Sequence, residues 1–421
     1  MTLWAVEGAA GCGKTLRLME ILGETLSGAP LHDGQRVLAL TFMHGARRRL
    51  DEKLRGVGGL RGRTECVTVD SFAQRLVRRW RGLATAISLP ALQPHQYDAQ
   101  CDAAGALLEH PDVGAWVAAS FPVVLVDEAQ DLKPQRLRMI SALARSTTLM
   151  VAADEFQCLN ASLRPNPCVA WLHAACKPVV LTQIHRTKVA ALLAAAAAIR
   201  TGTTALAGPG FKIFAAKGLP MAAAYLANAI AWRGGGKVAV ITPSLSGTFA
   251  RDVVARVGRQ PCGKEGNGPH EIRWERSEYD EVSAILAGFQ LGDVATLAET
   301  IASLGSLPRS GPVRETIGWV RRQARAAGVT SFSRADVTAI MARQVEMRRQ
   351  RLGADKVNFA AMTVQQAKNR EFEGVVVLWP FKVGGDAEHK RRLLYNAITR
   401  ARQWCTVILQ SEDLLKTSPF G

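Results

Sequence analysis

VEGAAGCGKT, residues Val6–Thr15, is a glycine loop of the pattern G-x-x-x-x-G-K-T. Thr2 to Val6 ahead of it read as a strand, and Leu16 to Leu26 behind it as a helix. A phosphate cradle needs that placement, because a strand end and a helix N-terminus bring free backbone N–H groups and the positive end of a helix dipole to one point. Gly8, Gly11 and Gly13 let the backbone turn its N–H groups inward. Lys14 is placed to neutralise the β- and γ-phosphates, and Thr15 offers a hydroxyl to Mg²⁺. The stretch implies a nucleoside triphosphate site at the edge of a parallel α/β sheet.

Outward from the loop, short apolar runs alternate with helical stretches. Val37 to Thr41, Cys66 to Val69, Val123 to Val126, Leu149 to Ala152 and Val179 to Leu181 read as strands. A helical insertion without strand signals separates them from about Gly82 to Phe121. A second set follows at Phe211 to Phe214, Val238 to Thr242, Phe359 to Thr363, Val375 to Leu378 and Thr406 to Leu409. The expected organisation is an N-terminal sheet domain over 1–177 (helical insertion about 82–121) and a second sheet domain from 178–250 and 358–421. The latter carries a basic, mainly helical insertion over 251–357. Within that insertion, residues 309–356 hold 11 Arg and Lys against 4 Asp and Glu, clustered at Arg321, Arg322, Arg325 and at Arg348, Arg349, Arg351.

The chain has 421 residues, too many for one core, and 48% of them are apolar, so disorder is not the default. No stretch reaches the roughly 18 apolar residues of a membrane span. Eight cysteines occur without a C-x-x-C pair, and a strand begins at Thr2, where a signal peptide would lie. A reduced, cytoplasmic protein with no membrane partner is expected. Lys and Arg number 53 against 36 Asp and Glu, a net charge of +17, which suits a polyanionic partner.

VVLVDEAQD, Val123 to Asp131, delivers Asp127 and Glu128 from the end of a buried strand to the edge where the glycine loop points. Asp127 suits Mg²⁺ coordination, and Glu128 suits orientation and deprotonation of an attacking water. Together the two motifs imply hydrolysis as well as binding.

These segments and those between them resemble superfamily 1 helicases of the UvrD/Rep type. DEAQD resembles motif II, LTFMHGARRRL (Leu40 to Leu50) motif Ia, and TVDSFAQRL (Thr68 to Leu76) motif Ib. ADEFQ (Ala153 to Gln157) resembles motif III, QIHRT (Gln183 to Thr187) motif IV, MTVQQAKNREF (Met362 to Phe372) motif V and RLLYNAITRAR (Arg392 to Arg402) motif VI. The resemblance implies an α/β chain of two RecA-like (P-loop NTPase) parallel-sheet domains with mainly helical insertions, and ATP bound with Mg²⁺ between them. By position, Gln157 would sense the γ-phosphate, and Arg186 and Arg400 would act as arginine fingers. Glu371 would bond the ribose, while His185 and, on the other side, Arg17 would flank the base. Thr41, Phe42, Arg47, Ser71, Phe72, Thr363 and Gln365 would line a groove for single-stranded DNA, with Arg47 to Arg49 and Arg75, Arg78 and Arg79 near the same edge as an electrostatic track. A 3′→5′ DNA helicase or single-strand translocase is implied. The alternatives are a motor that strips proteins from DNA beside a nuclease or a replication or repair protein, and a nucleotide-switched DNA-binding module.

Three departures from the family pattern matter. The glycine loop starts at residue 8, so an upstream glutamine that reads adenine is not expected and strict preference for ATP is not implied. The aromatic–arginine run that follows motif III in relatives is CLNASLRPNP here, and motif V has Asn369 for glycine and Gln365 for histidine.

Overall fold

The computed structural model describes residues 2–42, 44–92, 96–233, 236–275, 278–352 and 358–421; the side chains of Arg48, Arg349 and Arg351 lie outside the described residues. Six strands form the first sheet: β1 (Thr2–Gly8), β2 (Val37–Thr41), β3 (Thr64–Thr68), β4 (Val123–Val126), β5 (Thr148–Ala153) and β6 (Val179–Leu181). Their order is β3-β2-β4-β5-β1-β6, and every pairing is parallel. The chain then contributes β7 (Phe211–Ala215), β8 (Val238–Thr242) and β9 (Arg273–Trp274). A small antiparallel ribbon of β10 (Val294–Thr296) and β11 (Ser331–Ser333) follows, then β12 (Phe359–Thr363), β13 (Phe372–Trp379) and β14 (Ala401–Leu409). The second six-stranded sheet, again wholly parallel, has the order β7-β14-β13-β8-β12-β9.

The strands read as unbroken apolar runs because helices cover both faces of each sheet. Along β4, Val124 and Val126 enter one core with Phe72, Leu107 and Ile140, while Val123 and Leu125 enter another with Leu18, Leu22 and Leu54. In the second sheet, Val375 and Val377 pack with Leu394 and Ile199, and Val376 and Leu378 with Leu226 and Val253. Successive side chains point to opposite faces, and each face meets its own helices.

Three expectations change. Strand β6, read with the first set of strands but cut off by the expected boundary at 177, is hydrogen-bonded to β1 with Val6 opposite Val179, so the chain leaves the first sheet only after Leu181. The third strand stops at Thr68: its hydroxyl accepts the Ser71 N–H at 3.2 Å and caps the helix Val69–Arg79. The insertion is also shorter than 251–357. Helix Phe249–Arg259 buries Val253, Val254 and Val257 in the second domain's core, and β9 extends that domain's sheet on β12.

The remainder, within 278–352, has a core of its own that includes Phe289, Leu304, Val320, Phe332, Met341 and Val345. Arg321, Arg322, Arg325 and Arg348 are exposed on its surface. Leu304→Ala is expected to destabilise this unit by about 2–5 kcal/mol. Hydrogen exchange should then rise across 278–352 and stay at the wild-type level in β4 and β5.

Candidate functional site: a nucleotide cleft between two sheets

The glycine loop joins β1 to the helix Lys14–Gly28. Gly8 ends the strand against Leu181, whose carbonyl would lie 2.7 Å from any added Cβ. Gly11 and Gly13 hold φ at 82° and 83°, where other residues are strained, and a Cβ on Gly11 would also meet Arg186 at 2.6 Å. The QIHRT segment runs directly over this loop. His185 donates its backbone N–H to the Gly11 carbonyl at 2.8 Å, and its exposed ring lies against Gly13.

Lys14 is buried, with Nζ donating to the Gly8 and Ala9 carbonyls at 2.9 and 3.2 Å. Thr15 Oγ1 donates to Asp127 Oδ2 at 3.1 Å. A hydroxyl and a carboxylate from different elements therefore meet beside the loop, the donor set that a hard cation bridging phosphates requires. Glu128 follows in a left-handed conformation (φ 59°). Its backbone N–H donates to Asp127 Oδ1 at 3.0 Å, and its side chain accepts the Gln130 amide at 2.6 Å. Burial and the neighbouring Glu128 push the Asp127 carboxyl up, to about 6. Burial acts on Glu128 in the same sense, but Lys14 and Lys368 outweigh it and hold that carboxyl below its ordinary range.

The opposite wall comes from the second sheet. Arg400, 2% exposed, donates Nε to the Asn396 carbonyl at 2.9 Å and Nη2 to Gln157 Oε1 at 3.0 Å. Burial, then repulsion from Arg186, lowers its pKa to about 10, which leaves it charged at neutral pH. Arg186 donates to Glu371 at 2.9 Å and to the Thr399 carbonyl at 2.9 Å. Arg402 holds the other Glu371 oxygen at 2.5–2.8 Å. Burial alone would raise the Glu371 pKa, but the two arginines keep it low. Both of its oxygens are thus engaged by arginine, where sequence reasoning placed a ribose. Arg17 differs as well: it turns along its own helix to Glu20 (2.9 Å) and Glu24 (3.3 Å) instead of facing the base.

With this cleft in place, the comparisons with known proteins become informative. Residues 1–219 match the family described as AAA domain, and residues 358–408 match the UvrD-like helicase C-terminal domain. The chain belongs to the AAA domain family, and its residues 358–408 are similar to the UvrD-like helicase C-terminal domain. No curated protein matches it in sequence. Among solved structures, it is similar to arterivirus nonstructural protein 10 (helicase) in complex with DNA, with 12% identity and a TM-score of 0.41 over 99% of this chain and 62% of that one. The same arterivirus helicase solved in a second structure gives 12% identity and a TM-score of 0.40 over 99% and 61%. The chain therefore spans about three fifths of the length of those helicases.

The residues expected to touch nucleic acid separate by burial. Arg47 and Gln365 are exposed, and Phe42, Ser71 and Thr363 are half-buried. Ser71 and Thr363 sit in local turns: the Ser71 hydroxyl accepts from the Thr68 hydroxyl at 2.8 Å, and Thr363 donates its N–H to the Gln366 amide oxygen at 2.8 Å. Thr41 and Phe72 are corrections. Thr41 is 1% exposed at the end of β2, and Phe72 is fully buried, edge-on to Phe121 at 6.3 Å. The amphipathic helix Val69–Arg79 must bury one face, and Phe72 lies on that face with Val69, Ala73 and Leu76. Arg75 is paired with Glu65, and the exposed Arg79 stacks over Trp116 at 4.3 Å.

Several residues that connect the site were not singled out from sequence. Lys368 forms an ion pair with Asp131 at 2.5–2.7 Å, joining motif V to the end of motif II. Arg49 donates to the Asn369 carbonyl, and Asn369 adopts φ 61°. That left-handed turn is what the family's glycine supplies; asparagine is among the few residues that adopt it at low cost. Gln130 bridges Glu128 to the Asp154 backbone N–H, which it accepts at 3.0 Å. Lys368 and Gln130 lie inside quoted motifs, where a role was legible, whereas Arg49 reads with Arg47 and Arg48 as part of a basic track, with nothing to point to its contact with Asn369.

If Phe72 is a core residue, Phe72→Ala should cost about 3–5 kcal/mol of unfolding stability in urea. Phe72→Leu should leave affinity for single-stranded DNA at the wild-type level in fluorescence anisotropy. A Leu variant that loses DNA binding while keeping its melting temperature would return Phe72 to the groove.

Proposed function

We propose that the chain is an ATP-dependent DNA helicase or single-strand translocase that moves 3′→5′, coupling ATP hydrolysis to travel along DNA. The observation that carries this reading is the Gln157–Arg400 hydrogen bond of 3.0 Å, which links the end of β5 to the residue preceding β14. Through it, a change at the nucleotide is a change between the two sheets.

The chain's residues suit each requirement of phosphoryl transfer. Loop N–H groups and Lys14 would hold the phosphates. Mg²⁺ held by Thr15 and Asp127 would supply neutralisation of phosphate charge. Glu128, fixed by Gln130, would orient and deprotonate the water, while Arg400 and Arg186 would meet the charge that develops on the transferred group. His185, exposed beside Gly13, would stack on the base. The net charge of +17 and the exposed Arg47 and Gln365 support a nucleic-acid track that crosses the carboxyl ends of β2, β3 and β12. We also propose the sheet domains as 2–181 and 182–275 with 358–421, and 278–352 as a separately packed basic unit.

ATPase assays with and without single-stranded DNA test this directly, at low salt where phosphate contacts are strongest. Stimulation by DNA is expected. Arg400→Ala should lower kcat by about 10³–10⁵-fold, and Lys14→Ala and Glu128→Gln should abolish turnover. Strand displacement should proceed on duplexes with a 3′ tail and fail with a 5′ tail. Hydrolysis indifferent to DNA would sink the motor reading. DNA-stimulated hydrolysis with no displacement on either tail would favour a motor that strips proteins from DNA.

A further inference from the structure

Arg200 stands outside every motif, at the end of the helix Ala190–Thr201, yet it reaches the centre of the cleft. Its Nη1 lies 2.8 Å from Asp154 Oδ1 and 3.4 Å from the Tyr395 hydroxyl. Its guanidinium sits 5.3 Å from the Phe156 ring and 5.6 Å from the Tyr395 ring. Asp154 has no solvent exposure, so its charge must be met by protein groups. Its other oxygen accepts the Gln157 side-chain amide at 2.9 Å and lies 4.0 Å from Lys14 Nζ. The amide of Gln157 is thereby oriented with its oxygen toward Arg400. A line of four side chains runs from Arg200 through Asp154 and Gln157 to the arginine that faces the nucleotide. Tyr395, the second group Arg200 touches, receives the backbone N–H of Ala10 in the glycine loop at 2.8 Å.

We propose that Arg200 is a positioning residue for ATP hydrolysis: by pairing with Asp154 it fixes the Gln157 amide and, through it, the direction of the Arg400 guanidinium. This rests on the ATPase reading above and adds to it a residue that touches neither phosphate nor water. Without the Arg200 guanidinium, Asp154 Oδ1 keeps only the Phe156 backbone N–H at 3.2 Å, the buried carboxylate loses its charged partner on that side, and the Gln157 amide is held less firmly. Arg400 then presents its charge from a wider set of positions, and displacements of about 1 Å in such groups cost on the order of 10² in rate. The phosphate cradle touches this line at Lys14, 4.0 Å from Asp154, and at Ala10 through Tyr395, but has its own closer anchors. Lys14 is held by the Gly8 and Ala9 carbonyls, so the ground-state grip on the nucleotide is retained.

The full chain with Arg200→Ala and with Arg200→Lys separates these roles. Steady-state ATPase is measured with saturating single-stranded DNA, and binding of a fluorescent ATP analogue reports an intact site. For Arg200→Ala, kcat is expected to fall about 10²-fold, while analogue affinity stays within about threefold of wild type. Arg200→Lys keeps a cation for Asp154 and is expected to recover kcat to within about tenfold of wild type. An unchanged kcat in Arg200→Ala overturns the assignment, as does a loss of analogue binding that matches the loss of turnover in both variants. A wild-type chain that binds the analogue and does not hydrolyse ATP overturns the enzymatic reading, and the positioning role with it.

Discussion

The rest of the structure depends on how the turn after β5, Asp154 to Cys158, is gripped by the second half of the chain. Arg200 holds the Asp154 carboxylate, Arg392 donates to the Glu155 and Cys158 carbonyls, and Arg400 holds Gln157. Phe156 packs edge-on against Tyr395 at 5.1 Å and lies 5.3 Å from both Arg200 and Arg392. Three cations therefore converge on one turn, and it contributes just two carboxylates, Asp154 buried and Glu155 half-buried. Glu388, paired with Arg392 at 2.7 Å, meets part of the remaining charge, and carbonyl oxygens and an aromatic face the rest. Asp154 is fully buried and needs a charged partner, although Arg200 itself stays partly open to solvent, so the Asp154–Arg200 contact resists opening that leaves the carboxylate unpaired. It can be exchanged, however, if another cation takes over Asp154, and Lys14 lies 4.0 Å away.

Packing reinforces this grip. Ala10 of the glycine loop is part of the core that fills one face of the second sheet, with Phe156 and Leu159 packed against it. The loop is thus shared between the two halves of the chain: its glycines belong to β1 and its helix, and its outer turn belongs to Tyr395 and its neighbours. A loop packed on both sides cannot adjust to a ligand without moving one of them. Local rearrangement at the phosphates is thereby converted into motion between the sheets, the hinge behaviour that closure around a nucleotide needs.

How far the sequence disclosed this depends on the kind of signal. Strands covered on both faces, such as VLALT and VVLV, are visible as apolar runs, and residues whose chemistry is tied to a local pattern, such as Lys14 and Asp127, are visible in their motifs. Sheet membership is another matter. The VVL of β6 would look the same on either sheet, and the two residues of β9 are too short to carry a period. Helix Phe249–Arg259 reads as part of the insertion because its apolar face could serve either body. Phe72 shows a further ambiguity: beside a caps-and-arginine segment, an aromatic suits a groove, and only the helix's buried face decides that it belongs to the core. Arg200 could not be singled out, since it ends an alanine-rich helix and its partner lies 46 positions away in a separate motif.

The two edges of each sheet then do different work. The first sheet offers its carboxyl edge to the cleft, where the glycine loop, Asp127 and Asp154 follow β1, β4 and β5. The second sheet offers its amino edge, since Glu371 and Arg400 directly precede β13 and β14. Thr363 and the exposed Gln365 lie at the carboxyl edge of the second sheet, reached from the cleft along β12 or around the turn that holds Lys368 and Asn369. That turn is tied back to the first sheet by Lys368–Asp131 and by Arg49, whose helix begins just after β2. A rotation that tightens Arg400 on the nucleotide must therefore pull on these two ties at the other edge. Asp131 lies three residues beyond Glu128, so the carboxylate suited to handling water and the strut that reaches the second sheet share one short turn. One backbone turn thus fixes both Glu128 and the Asp131–Lys368 contact with the second half of the chain.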